Sequence, residues 1–337
     1  MTDLATRYMG LQLRNPLVAS PSPLSHTLEG VRRLAAGGVG AIVLFSLFEE
    51  QLREEALLAS QLVEGPSESF AEARDYLPAI AAQDVGARRY LDLLQRAAAA
   101  VDVPVIASLN AATPEGFGEL ARAIEAAGAA AVELNIYHLP GESDTSGRDV
   151  EQRHLDVLRR VRSTVEIPVA VKLSPYFSAF GEMPRRLDEA GADALVLFNR
   201  LLGPEIDAEQ LAVLPRVTLS APADARLPQA WIALLHRRVA ASLAASGGVE
   251  VPADLVGHLL AGADVVMTTS ALLRHGPDHA AVLLDGLGSW MRRKGFRNLE
   301  ELRGLLAAGR WSEGSGRERA GYVAAMRAAN AGAYAPW

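Results

Sequence analysis

Two short stretches toward the C-terminal end of the chain combine residue types that hold an anion through the backbone: Ser246-Gly247-Gly248 and Thr269-Ser270-Ala271-Leu272. Each follows an apolar, β-branched run, Arg238–Ala244 and Ala263–Thr268, and a helix-like segment, Ala253–Gly262, lies between them. Glycine lets the backbone approach an anion, and a following helix N-terminus adds unpaired N–H groups and the positive end of a dipole. Strand, Gly-Gly, helix, strand, Thr-Ser, helix is how the last two units of a (β/α)8 barrel build a phosphate site. The pattern predicts a phosphorylated ligand.

Lys172 is the most informative single charge. It interrupts Pro168–Leu173, an otherwise apolar run. An ammonium in a buried strand needs an anionic partner. That partner is a flavin N1/O2 anion, a substrate phosphate, or a carboxylate of the barrel interior such as Glu133; alternatively Lys172 forms a Schiff base. His138, two residues past Ile136, has the chemistry of a general base at neutral pH. The competing reading is a loop histidine with no chemical role. The other six histidines show no ligand spacing, so no metal site is expected.

These residues need a scaffold that brings them to one rim. Six further apolar runs precede the two already named: Pro16–Ser20, Ala41–Ser46, Pro104–Leu109, Ala131–Ile136, Pro168–Leu173 and Ala194–Asn199. Short continuous apolar runs are the mark of parallel strands buried on both faces. Alanine-rich helical stretches alternate with them, among them Phe117–Ala127, Val150–Val165 and Met183–Ala190. Several end at a C′ glycine: Gly37 or Gly38, Gly128, Gly191 and Gly262. The fold class is therefore α/β, a (β/α)8 TIM barrel, spanning 1–285. A helical extension over 286–337 (Leu287–Lys294, Leu299–Ala308 and a tail) would pack on it. Two connections exceed what a plain barrel needs. Residues 47–85 are acidic, with a helix expected over Glu49–Leu62; residues 200–228 carry four prolines. The strand ends then read Ser20, Ser46, Ser108 with Asn110, Asn135 with His138, Lys172 with Ser174, Asn199, Ser246–Gly248, and Thr269-Ser270. In a barrel, that rim carries the chemistry.

Composition narrows the function classes. The chain has 337 residues, half of them apolar, and a net charge of −7, which argues against a nucleic-acid partner. It has no cysteine, so it holds no disulfide, no thiolate nucleophile and no cysteine-ligated iron–sulfur cluster of its own. Its start shows no signal-peptide pattern, and no apolar run approaches the ~18 residues of a membrane span. A cytoplasmic protein without membrane attachment is expected.

Taken in order, Asn15-Pro16 with Ala19-Ser20, Pro104–Ser108, Glu133-Leu134-Asn135, Val169–Pro175, Phe198-Asn199, Ser246–Val249 and Thr269–Leu272 resemble the dihydroorotate dehydrogenase family of FMN barrels, from Leu11 to Leu272. The resemblance implies FMN, with Ala19, Ser20, Ser46 and Ser108 beside the flavin and Gly247, Gly248, Thr269 and Ser270 on its phosphate. Lys172 would lie at the N1/O2 edge. Asn135 and Asn199 would hydrogen-bond a planar small-molecule substrate, Asn135 also meeting the flavin. It further implies hydride transfer between a dihydropyrimidine-like substrate and flavin N5, the family default being dihydroorotate to orotate in pyrimidine biosynthesis. A homodimer and an electron-transfer partner protein are also implied.

The chain departs from the family where the substrate binds. The family's Ser-Cys-Pro-Asn is replaced by Tyr137-His138-Leu139-Pro140, which puts His138 at the position of the base. A family lysine is replaced by Phe45. The family's asparagine-rich substrate stretch is missing from 60–80, where Ser67–Tyr76 stands. Three further readings stay open: a related flavoenzyme acting on another C=C or dihydropyrimidine ring with a ferredoxin or reductase partner, an FMN-binding protein whose chemistry has lapsed, and a lyase using Lys172 as a Schiff base.

Overall fold

A computed structural model describes residues 2–50, 83–137, 141, 143–200, 203, 205–214, 218–307 and five positions between 321 and 327. The strands are β1 (Thr6–Tyr8), β2 (Leu11–Leu13), β3 (Leu17–Ala19), β4 (Ala41–Phe48), β5 (Val105–Asn110), β6 (Ala131–Asn135), β7 (Val169–Leu173), β8 (Ala194–Leu197), β9 (Glu205–Asp207), β10 (Ala212–Leu214), β11 (Ser242–Ser246) and β12 (Val265–Thr268). The helices are α1 (Leu28–Ala36), α2 (Gln83–Ala100), α3 (Pro114–Ala126), α4 (Gly147–Arg162), α5 (Glu182–Glu189), α6 (Arg226–Leu235), α7 (Pro252–Ala261), α8 (Ser270–His275) and α9 (His279–Lys294). Strands β3 to β8, β11 and β12 pair in parallel and close into a barrel in chain order, β12 returning to β3. The expected (β/α)8 barrel is present.

The eight strands separate two cores. Alternate residues point inward: Val18, Ala41, Val43, Ile106, Ala131, Ala170, Ala194, Val196, Ala244, Val265 and Met267 form one interior cluster. The β1–β2 hairpin plugs its lower end with Tyr8, Met9 and Leu13. The intervening residues, such as Leu44, Leu109, Leu134, Val171 and Leu195, pack outward with the helices. Both faces of every barrel strand are thus buried, which is why the strands read as unbroken apolar runs. Local signals set the helices. Thr27 and Thr113 cap α1 and α3, and Ser146 with Asp149 forms a capping box on α4. Gly262 ends α7 at φ +119°, a conformation open to glycine alone at little cost.

Three features differ from the sequence reading. The seventh barrel strand starts at Ser242 rather than Arg238. Arg237 adopts φ +64°, and Asp188 takes the amides of Ala240 and Ala241, so the chain turns there before it extends. Of the helix expected over Leu299–Ala308, the described residues 299–307 instead form a series of tight turns, with Leu302 N–H to Leu299 O, Leu305 N–H to Leu302 O and Ala307 N–H to Gly304 O. Gly304 stands at φ +69° against the His236 ring and breaks any helix. The 200–228 connection contains the β9–β10 hairpin, too short to leave a periodic signature. The helix expected over Glu49–Leu62 lies almost wholly outside the described residues. Among the described residues, no helix is long and apolar enough to cross a membrane.

Candidate active site

The C-terminal ends of β3, β7, β8, β11 and β12 surround a cleft of about 240 Å³. Of the expected residues, Ser20, Lys172, Asn199, Gly247, Gly248, Thr269 and Ser270 line it. Phe198, Arg200, Ser220 and Ser246 line it as well. Ser246 leads into the glycine pair, and Gly247 and Gly248 stand at φ +100° and +71°. A Cβ on Gly248 would come within 2.3 Å of the Ala225 backbone nitrogen, so only glycine fits. A Cβ on Gly247 would meet nothing within 4 Å, because the space beside it is open. Among the described residues neither glycine amide has a hydrogen-bond acceptor in the protein. This is a backbone cradle with free donors, the arrangement that receives a phosphate.

The opposite wall of the cradle comes from β12. Ser270 Oγ accepts bonds from the backbone amide and the hydroxyl of Ser220, each at 2.9 Å, which leaves its own proton to donate. Thr269 lines the cleft while its hydroxyl bonds within the protein. It donates to Ser20 O at 3.0 Å and ties the last barrel strand to the first. Arg274 donates to Ser220 O and pairs with Glu250, whose carboxylate also takes a bond from His275. These contacts hold Glu250 below the usual carboxylate range against the opposing effect of its burial. Sequence reading missed Ser220 and Arg200. Both lie in or beside the 200–228 insertion, where no regular pattern points to the barrel mouth.

Lys172 sits on the inner face of β7, in register with Asn135 on β6 and Val196 on β8. Its ammonium donates to Glu133 Oε1 at 3.3 Å, with side chains 10% and 1% exposed. The interior carboxylate weighed in the sequence is therefore its partner, while Lys172 still lines the cleft. Asn199 donates to Asn135 Oδ1, and Asn135 donates to Ser46 Oγ at 3.4 Å. Ser46 and Ser108 hydroxyls meet at 2.8 Å. A polar chain therefore crosses the mouth from β8 to β5. The side chain of Ala19 packs outward with the helical layer, so only its backbone can meet a ligand. His138 lies outside the described residues.

Phe45 lies within a distortion of β4. The strand register slips between Val43 and Ser46 relative to β5. The Tyr90 hydroxyl fills the gap, accepting from Ser108 N at 3.1 Å and donating to Ser108 O at 3.3 Å. Phe45 packs edge-on to Tyr90 and 4.0 Å from the ring of His26. Burial lowers the pKa of His26, so the cluster is uncharged near neutral pH. Among the described residues, no group of three or more candidate ligands could hold a metal ion.

Comparison with known proteins agrees with this geometry. The family model for dihydroorotate dehydrogenase matches residues 3–291. A dihydroorotate dehydrogenase B (NAD(+)) catalytic subunit of Methanothermobacter thermautotrophicus is 27% identical over 310 residues, covering 90% of this chain and 98% of that protein. The protein of the same name from Methanocella arvoryzae is 30% identical over 312 residues, covering 88% and 95%. With a family match across most of the chain, on a closed parallel barrel, the chain belongs to the dihydroorotate dehydrogenase family.

Proposed function

We propose that this oxidoreductase of the dihydroorotate dehydrogenase type binds FMN at the barrel mouth and transfers hydride between a dihydropyrimidine-like substrate and flavin N5. The family default is dihydroorotate to orotate in pyrimidine biosynthesis. The observation that carries the reading is the pairing of a phosphate-ready cradle at Gly247 and Gly248 with the Lys172 ammonium in one cleft. The residues fit the cofactor. The two amides and the Ser270 hydroxyl suit its phosphate, and Lys172 suits an electron-rich ring edge.

When bound, FMN supplies a two-electron acceptor for hydride. The protein's share is binding, orientation and proton handling. Asn135 and Asn199, already joined side chain to side chain, orient a planar amide ring. His138 takes the proton from the substrate carbon adjacent to the one that loses hydride. That role rests on its position in the motif and on its chemistry as a base near neutral pH. The relatives named as catalytic subunits support a separate electron-transfer partner protein, since a chain without cysteine carries no iron–sulfur relay. We further place it in the cytoplasm as a homodimer, with the barrel over 1–285 and a helical extension over 286–337.

A second reading has a specific observation behind it. Phe45, packed against His26 and Tyr90, replaces the lysine expected from the resemblance with an uncharged aromatic cluster. This favours a substrate ring without a carboxylate. Dihydroorotate and dihydrouracil differ by that group alone. Offered anaerobically to the oxidised protein, dihydroorotate bleaches the flavin under the first reading and dihydrouracil under the second. If neither bleaches it faster than buffer, both are wrong.

A further inference from the structure

We propose that Glu133 is a positioning residue: it fixes the Lys172 ammonium at the floor of the cleft and offsets its charge, so that the pair together sets the potential felt by a bound cofactor. This rests on FMN occupying the cleft, as proposed above. Glu133 stands on β6 in register with Ser108 and Ala170, while Lys172 stands in register with Asn135. The carboxylate therefore lies one layer deeper in the barrel, and the ammonium reaches down to it. The bond uses Oε1 alone. Oε2 has no hydrogen-bond partner among the described residues, and neither does the hydroxyl of Tyr8 in the plug below.

An ion pair held only to stabilise the fold would be expected to satisfy both oxygens, since an orphaned buried polar atom is costly. Here one oxygen is left bare in the barrel interior, while the ammonium, with one bond made, keeps two donors for the cleft. In so apolar a setting a charge acts strongly on its neighbours. A lone Lys172 would favour a reduced, electron-rich cofactor more than the Lys172–Glu133 pair does. Glu133 moderates that bias and holds the ammonium in one place.

The test is a redox titration of the FMN-loaded protein and of Glu133→Gln. The expected result is a shift of the equilibrium toward reduced flavin by tenfold or more, about 30 mV for a two-electron couple. Glu133→Asp, which keeps the charge but shortens the reach, should shift it less and serves if Glu133→Gln does not fold. In a Lys172→Met background no ammonium remains to be held or offset, so adding Glu133→Gln should move the potential less than it does with Lys172 present. An unchanged potential in both Glu133 variants, with flavin bound, overturns the inference. So does an undiminished Glu133→Gln shift in the Lys172→Met background, because Glu133 would then act without Lys172. A wild-type protein that binds no FMN overturns the underlying reading itself.

Discussion

Alanine at Gly247 and at Gly248 should damage this protein in two different ways. At Gly248, φ is +71° and the new Cβ would stand 2.3 Å from Ala225 N and 2.9 Å from Ala221 O. A left-handed alanine costs about 1–2 kcal/mol. Displacing packed backbone adds about 1–3 kcal/mol. At about 2 °C per kcal/mol for a chain of this size, Gly248→Ala should lower Tm by roughly 4–10 °C with or without cofactor. At Gly247, φ is +100° and the Cβ meets nothing within 4 Å. The fold loses only the conformational term, about 1–3 kcal/mol. The methyl group, however, stands in the open cleft where a phosphate oxygen would meet the amides. Loss of one charge-assisted hydrogen bond costs about 1.5–3 kcal/mol, or roughly 10- to 150-fold in FMN affinity. The assay is thermal melting of the cofactor-stripped variants beside fluorescence titration with FMN. Gly248→Ala should lose more stability and Gly247→Ala more affinity. The reverse order, or a Gly247→Ala protein that binds FMN as tightly as wild type, refutes the cradle.

Other perturbations test the remaining parts of the account. His258 on α7 is fully buried with neither ring nitrogen partnered among the described residues, and burial pushes its pKa down to about 4. Its unfolded form binds a proton more readily, so stability present above about pH 6.5 should be lost as pH falls toward 4, by about 3 kcal/mol in all. His258→Phe should flatten that part of the urea-stability profile. Tyr90→Phe removes both bonds to the Ser108 backbone and should cost about 1–3 kcal/mol in a denaturant titration. His138→Ala should keep its FMN while its flavin reduction slows by about 10²–10⁴-fold in stopped flow; full turnover would remove His138 as the base.

The barrel was legible because burial on both faces leaves a plain trace. Runs such as Pro168–Leu173 and Ala194–Asn199 carry no polar alternation, and each overlaps a strand closely. The C′ glycines were legible for a similar local reason, Gly128, Gly191 and Gly262 all standing at positive φ. Lys172 announced itself as a charge in an apolar strand, and its partner Glu133 was among the carboxylates the sequence offered. The plug hairpin was not legible, since its three-residue strands turn on Met9 and Gly10 and bury Tyr8 only through tertiary contact. The slip in β4 was invisible too, because it depends on a tyrosine reaching over from α2. Ser220 reached the cradle from a proline-rich insertion whose path no pattern encodes.

Identification of the chromophore released when the purified protein is denatured tests the central claim most directly. The account predicts a yellow protein that gives up one FMN per chain, with Gly247→Ala holding markedly less. A colourless protein, or one that releases FAD, would contradict it.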